Sequence, residues 1–255
     1  MKPQTQTAVQ APTPASQPAQ PTPARRFHIR PFQSGDRQAV RDICVETCWL
    51  GEYRPEYIVD DWIWAEFWTR YFTDREPRHS WVLQRLQDGK IVGYLCGSSQ
   101  CKKVDHYAVH LLPRIAWRAI RKGLLRHAGT RRSILAMLGS LLKGELDVPG
   151  RLSDCYTGTW HFNLLPEARG AGWGWLLLRT YVRAMREQGV AGIHAQTMSV
   201  NTVVNRLLES CGFQLADSHP VHAFRHADPR PIEIQTWVMS LREDQAGHSV
   251  KAFRL

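Results

Sequence analysis

Leu164-Leu165-Pro166-Glu167-Ala168-Arg169-Gly170-Ala171-Gly172-Trp173-Gly174 runs directly into the apolar stretch Trp175-Leu176-Leu177-Leu178. An apolar segment ends in a glycine-dense turn, and the turn feeds a helix. That layout presents backbone N–H groups at the positive end of a helix, where phosphate oxygens bind. Glycine lets the backbone approach a diphosphate closely and opens a concave nest of amides. A phosphate-bearing cofactor is expected here. A dinucleotide fingerprint does not fit, because Leu177 stands where its third glycine belongs. The acidic ribose ligand due about 20 positions on falls near His194 and Gln196, neither of them acidic. The Gly-Lys-Ser/Thr of a P-loop is absent as well. The spacing that fits is Arg/Gln-x-x-Gly-x-Gly/Ala, beginning at Arg169.

Asn201 and then Cys211-Gly212-Phe213 follow this loop in order. On these three elements the chain resembles the GNAT superfamily of acetyl-CoA-dependent N-acetyltransferases, over about 154–217 and less clearly over 27–100. The resemblance implies an α/β fold with a mixed, mostly antiparallel central sheet flanked by helices. It implies acetyl-CoA as co-substrate. The turn Arg169, Gly170, Ala171, Gly172, Trp173 and Gly174 would hold the pyrophosphate. Phe162, Asn163 and Leu164 on the fourth strand would lie along the cofactor, and Asn201 would contact its arm. The segment His161-Phe162-Asn163-Leu164-Leu165-Pro166 is similar to a subgroup related to the C-terminal acetyltransferase-like domain of O-GlcNAcases, in which a histidine like His194 also recurs.

Composition agrees with a globular enzyme of 255 residues and net charge +10. There is no uninterrupted apolar stretch near the ~18 residues of a membrane span, so no membrane partner is expected. Residues 1–25 are rich in Pro, Ala, Gln and Thr and read as a disordered tail rather than a secretory signal. The acyltransferase domain is expected over 26–245, with a C-terminal tail over 246–255. The six cysteines form no C-x-x-C pair and are read as core residues in a reducing, cytoplasmic setting, with no metal site.

Strand and helix signals alternate along the domain. A strand at 27–31 precedes helices over 34–48 and 61–72, the second unusually aromatic. Its rings are read as core packing in preference to an acyl pocket. A hairpin joins 81–86 to 91–97 through Asp88-Gly89. Two or three helices are expected in an insert over 101–150, a length of connection often tied to specificity. Strands at 156–164, 193–198, 213–216 and 232–239 alternate with helices at 172–188 and 201–210. Arg114, Arg118, Arg121, Lys122, Arg126, Arg131 and Arg132 crowd the insert, so nucleic acid is a candidate partner, although no aromatic RNA-stacking motif accompanies them.

The expected reaction is direct attack by an amine, on a small molecule or a protein, upon the thioester in a ternary complex. The amine must lose a proton, and the departing thiolate must gain one. The family's usual proton-donor tyrosine is replaced by Leu208 and a frequent glutamate base by Gln196; neither side chain suits the task. His161, Asp61 and Glu66 are the candidate catalytic residues. His161 shares a strand face with Asn163, while the two acids sit on the helix that flanks the acceptor groove in this fold. Tyr53, Tyr57 and Tyr156 are further candidate acids. A catalytically weak acetyl-CoA sensor or scaffold, and an RNA-associated acetyltransferase using the basic insert, are the alternative readings.

Overall fold

The computed structural model describes residues 26–242; the two expected tails, 1–25 and 246–255, lie outside the described residues. Strands β1 (Phe27–Pro31), β2 (Ser80–Arg85), β3 (Ile91–Ser98) and β4 (Thr159–Leu164) form one antiparallel sheet in that order. Strands β5 (Gly192–Met198), β6 (Gln214–Val221) and β7 (Ile232–Ser240) form a second, ordered β5-β7-β6. Helices α1 (Arg37–Glu46) and α2 (Asp61–Asp74) pack together and onto β3 from one side. Helix α6 (Trp173–Glu187) packs onto β2 and β3 and buries Leu177, Leu178, Tyr181 and Met185. Helix α7 (Thr202–Ser210) follows β5. The mixed α/β architecture expected from the sequence is present. The Asp88-Gly89 turn is in place too, with Gly89 in the left-handed region at φ 74°.

The insert is helical, as expected: α3 (Cys101–Arg121), α4 (Ala128–Leu142) and α5 (Gly150–Cys155). Helix α3 opens the insert at Cys101 and runs through Pro113. Proline in a helix interior removes a hydrogen bond and disfavours the turn before it. Burial of Cys101, Leu111 and Ala119 along one side of α3 is the compensating contact.

The two sheets meet at a single point, which positions the site. Gly158, just before β4, forms an isolated parallel bridge with Ile193. Its N–H donates to the Gly192 carbonyl (3.1 Å), and its carbonyl accepts from the His194 N–H (2.8 Å). A Cβ on Gly158 would sit 2.6 Å from Ile193 and 2.9 Å from the Tyr181 hydroxyl, and one on Gly97 would sit 2.3 Å from the Tyr181 ring. Only glycine fits at either position. Tyr181 is fully buried, donates toward the Ser98 carbonyl (2.9 Å) and lies 3.1 Å from the Thr159 carbonyl, tying α6 to the root of the junction.

Four cysteines, Cys44, Cys48, Cys96 and Cys101, are buried, and all six are free thiols. Burial pushes the thiols of Cys44 and Cys96 up to about 12. At the C-terminal end of α2, Glu76 receives hydrogen bonds from Tyr71 (2.9 Å) and Ser98 (2.6 Å), and His79 Nδ1 lies 2.7 Å away. Burial alone would raise its carboxyl pKa, but these partners outweigh burial and hold it at about 2, below the ordinary 4.5. A carboxyl depressed on folding contributes stability above the unfolded pKa and loses it as pH falls through the folded one. Stability is therefore expected to drop between about pH 4.5 and pH 2, and Glu76→Gln should flatten that limb in urea melts run across the window. An unchanged slope would remove Glu76 as its source.

Candidate active site

Beyond the Gly158 bridge, β4 and β5 share no ladder among the described residues. Backbone groups on an antiparallel strand alternate in direction. Leu165 N–H points back to β3, donating to Val92 (2.9 Å), whereas Gly158 N–H points to β5. By the same alternation the N–H groups of Trp160, Phe162 and Leu164 face the gap between the sheets. This is a wedge with unpaired backbone donors on one wall, suited to an extended amide-bearing ligand arm. Gly174 lies across from it: a Cβ there would be 3.5–3.6 Å from Leu207, Leu164 and Phe162, which makes the inner wall apolar.

The wedge opens onto the glycine turn. Gly170 (φ 77°) and Gly172 (φ 79°) are both left-handed, and Gly172 is the N-cap of α6 with no side-chain cap. A Cβ added at either would meet nothing within 4 Å, so the face above them is open. Gly170, Ala171 and Gly172 are exposed. The turn therefore leads, with no side-chain cap at Gly172, into the positive end of α6, which favours an anion.

Two residues of this loop act differently from the expectation. The Arg169 guanidinium turns away from the open face: Nε (2.9 Å) and Nη2 (2.8 Å) donate to the Leu164 carbonyl, and Nη2 also reaches the Gly51 carbonyl (2.6 Å). Arg169 therefore braces the loop to the turn that ends α1, where Leu50 (φ 51°) and Gly51 (φ 89°) are both left-handed. The Trp173 ring is buried edge-on against Phe27, centroids 5.9 Å apart, and leaves only its backbone to the loop. Asn201 likewise caps α7, its side-chain oxygen accepting from Val204 N–H at 3.4 Å. Leu208 is 1% exposed and belongs to the core, so that position presents no proton donor to the wedge.

His161 and Asn163 sit on the other face of β4 and are brought together by a residue the sequence reading passed over. The buried Tyr94 hydroxyl lies 3.0 Å from His161 Nδ1 and accepts from Asn163 Nδ2 at 3.2 Å. Tyr94 was legible only as part of an apolar strand; its pairing opposite Asn163 comes from the β3–β4 register. His161 also stacks on Trp68 of α2 (5.2 Å, 14°). Burial pushes its imidazolium pKa down to about 4, so the ring is neutral at neutral pH.

The two candidate acids separate. Asp61 is exposed in the first turn of α2 and accepts from the Tyr53 hydroxyl (3.3 Å). The helix cap is its neighbour Asp60, which accepts from Ile63 N–H (3.0 Å) and from Arg118 (2.6 Å and 3.0 Å). Glu66 is 2% exposed and forms ion pairs with both Arg41 and Arg70. That contrasts with the expectation of a groove-facing base: between two guanidiniums its lone pairs are engaged, and it joins α1 to α2. The Tyr156 carbonyl meets His194 Nδ1 (2.6 Å) and its N–H donates to the Leu152 carbonyl (2.8 Å).

The aromatic rings of α2 divide as well. Trp64 packs against the core, while Phe67 and Trp68 stay exposed beside His161. A second apolar cluster adjoins α2 through Trp64: Trp49 stacks on Tyr57 (3.7 Å, 10°) and meets Phe224 (5.0 Å). The insert is tied to this side through Glu145, whose carboxylate accepts from the His222 backbone (2.9 Å) and from Ser140 (2.6 Å). Among the described residues no group of three or more His, Cys, Asp or Glu is placed to hold a metal.

Residues 134–213 match the model of the Acetyltransferase (GNAT) family. No curated protein matches the chain. Among solved structures, SsHAT is 27% identical and superposes with a TM-score of 0.61 over 86% of this chain and 100% of its own. Drosophila melanogaster polyamine N-acetyltransferase (20% identity, TM-score 0.50, 84% and 99% coverage) shares the fold. So does a phosphinothricin acetyltransferase from Sinorhizobium meliloti solved with AcCoA (16%, 0.52, 89% and 95%). With the split sheet and the glycine turn at the head of α6, the chain has the GNAT fold, and the segment 134–213 that holds this turn matches the acetyltransferase family.

Proposed function

We propose that the chain transfers the acetyl group of acetyl-CoA to an amine acceptor by direct attack in a ternary complex. The observation that carries this reading is the wedge between β4 and β5, which opens onto the bare N–H groups of the Gly170–Gly172 turn. The turn and the head of α6 suit a diphosphate. The unpaired N–H groups of β4 suit the amides of a pantetheine arm, and the neighbour solved with AcCoA supports the assignment.

The chemistry asks three things of this chain. A backbone N–H on β4, such as that of Phe162, donates to the thioester oxygen as negative charge builds there. A base takes the proton that the attacking nitrogen sheds. A proton reaches the departing sulfur from water, since Leu208 offers none. His161 fits the second task in one tautomer: with the proton on Nδ1 donated to Tyr94, Nε2 keeps a lone pair. Tyr94 then acts as a positioning residue. Because the imidazole pKa is pushed down to about 4, the base form persists well below neutral pH. The pH profile should therefore show no limb near the ordinary histidine value of about 6.5 and should rise instead with deprotonation of the acceptor amine. His161→Gln is expected to lower kcat by about 10²-fold with acetyl-CoA affinity retained. Equal turnover in His161→Gln would give the base role to water or Asp61.

The acceptor is an amine presented past Trp49, Tyr57 and Trp68, on a small molecule or a protein. Kinship with the O-GlcNAcase-related subgroup rests on residues 161–166. The sensor reading draws on the absence of a donor at Leu208. Thiol release from acetyl-CoA across an amine panel tests the proposal: release that depends on the amine supports transfer, and tight binding without release favours the sensor.

A further inference from the structure

Nine of the sixteen exposed large apolar side chains among the described residues lie in the insert. On α4, Leu135 (69% exposed), Leu138 and Leu142 (89%) recur at helical spacing and form one stripe with Arg131. The stripe points away from the side that carries buried Ser140 and the contact of Ser133 with His226 (2.9 Å). On α3, Val109 and Ile120 lie bare on one line, with exposed Leu112 between that line and the buried Ala119 and Leu111. Each helix thus carries two apolar sides, one docked and one open. Isolated exposed leucines need no explanation, but contiguous apolar stripes mark an interaction surface.

What covers these stripes is indicated by the charge beside them. Residues 101–150 hold ten lysines and arginines against three acidic residues. An open cleft of about 750 Å³ lies along the adjoining face of α3, with Trp117 at the border next to Ile120, walled by Trp62 and Trp117 and by Arg114, Arg118, Arg121 and Lys122. Arg118 is engaged by Asp60, and Arg121 sits over the Trp117 ring at 5.0 Å. Guanidiniums beside indoles, next to bare aliphatic stripes, match the layering of a bilayer surface. Phosphate headgroups meet the cations, indoles sit at the boundary, and leucines enter the acyl edge. A second copy of the chain would bring like charge against like charge. RNA would satisfy the arginines but has nothing to offer Leu135 and Leu142.

We propose that the insert is a surface-binding element for anionic phospholipid membranes, with α3 and α4 lying on the bilayer. No helix of the described residues is long and apolar enough to cross a membrane, and none is needed for this mode of binding. Stripes at helical spacing contain no uninterrupted apolar run, so a surface-binding helix is not marked by hydropathy as a span is. The proposal stands independently of the acetyl-transfer reading.

The test is flotation of the full chain with vesicles of pure phosphatidylcholine and of phosphatidylcholine with phosphatidylglycerol. Partition is expected on the anionic vesicles alone and should weaken with salt. Leu135→Ser with Leu142→Ser should cut it about tenfold at unchanged charge. Arg114→Gln should cut it about fivefold. Both variants should keep the circular dichroism spectrum and the acetyl-CoA affinity of the parent chain. No partition at low salt would overturn the proposal. So would binding of an RNA oligonucleotide that the arginine variant loses and the leucine variant keeps, when vesicles are ignored. Self-association abolished by the leucine pair, with vesicles again ignored, would replace the membrane by a second copy.

Discussion

Ala171→Glu is expected to leave the fold intact and to reduce acetyl-CoA affinity about 100-fold. Ala171 is exposed between two left-handed glycines but does not share their backbone conformation, so a longer side chain adds no strain. In the free protein a carboxylate beside the head of α6 complements the helix dipole, by about 0.3–1 kcal/mol. The same carboxylate set against a diphosphate a few ångströms away costs about 2–3 kcal/mol at an effective dielectric near 20 to 30, which is about two powers of ten in affinity. Ala171→Lys should move affinity the other way. Titration calorimetry with CoA and a thermal melt of each variant separate the two effects. If Ala171→Glu binds as the parent does, the diphosphate is held elsewhere and the cofactor assignment fails. Arg169 is a poorer place for this test: its guanidinium grips the carbonyls of Leu164 and Gly51, so its removal loosens the loop whatever the ligand does.

Glu66→Ala is expected to lower stability by about 3–5 kcal/mol, as removal of one member of a buried ion cluster does. It strips the shared partner from Arg41 and Arg70, both largely covered, where α1 meets α2. Across a domain of this size that corresponds to a fall of about 10 °C in Tm. Glu66→Gln, which keeps the shape and part of the hydrogen bonding, should lose less. A catalytic base would behave in the opposite manner, with kcat collapsing and Tm unmoved. The pair of measurements decides which role the carboxylate has.

The contrast between Glu66 and the glycine turn shows what could be read without coordinates. Arg169 through Gly174 is contiguous, and its meaning lies in backbone geometry that glycine spacing encodes directly. Strand periods and the Asp88-Gly89 turn are local in the same way, and the elements fall close to where the pattern places them. Glu66 is a single acidic residue on an amphipathic helix. Whether it faces solvent or Arg41, 25 positions earlier, depends on how two helices pack, and nothing local reports that. Tyr94 is hidden for the same reason: its hydroxyl meets His161 and Asn163 through the β3–β4 register. The Arg169 side chain went unread because its partner, Gly51, belongs to a turn more than a hundred residues away.

From its sequence alone this protein is legible as a layered α/β domain with a glycine turn at 169–174 and a helical insert, because periodicity and glycine placement act over a few residues. The tertiary structure decided which side chains are exposed beside the glycine turn and β4 and which are withdrawn. It aimed His161 at Trp68 and Tyr94, withdrew Glu66, Trp173 and Leu208 into the interior, and parted β4 from β5 beyond their bridge at Gly158. Those outcomes are set by contacts between residues far apart in the chain, where burial and pairing outweigh any preference a local segment carries.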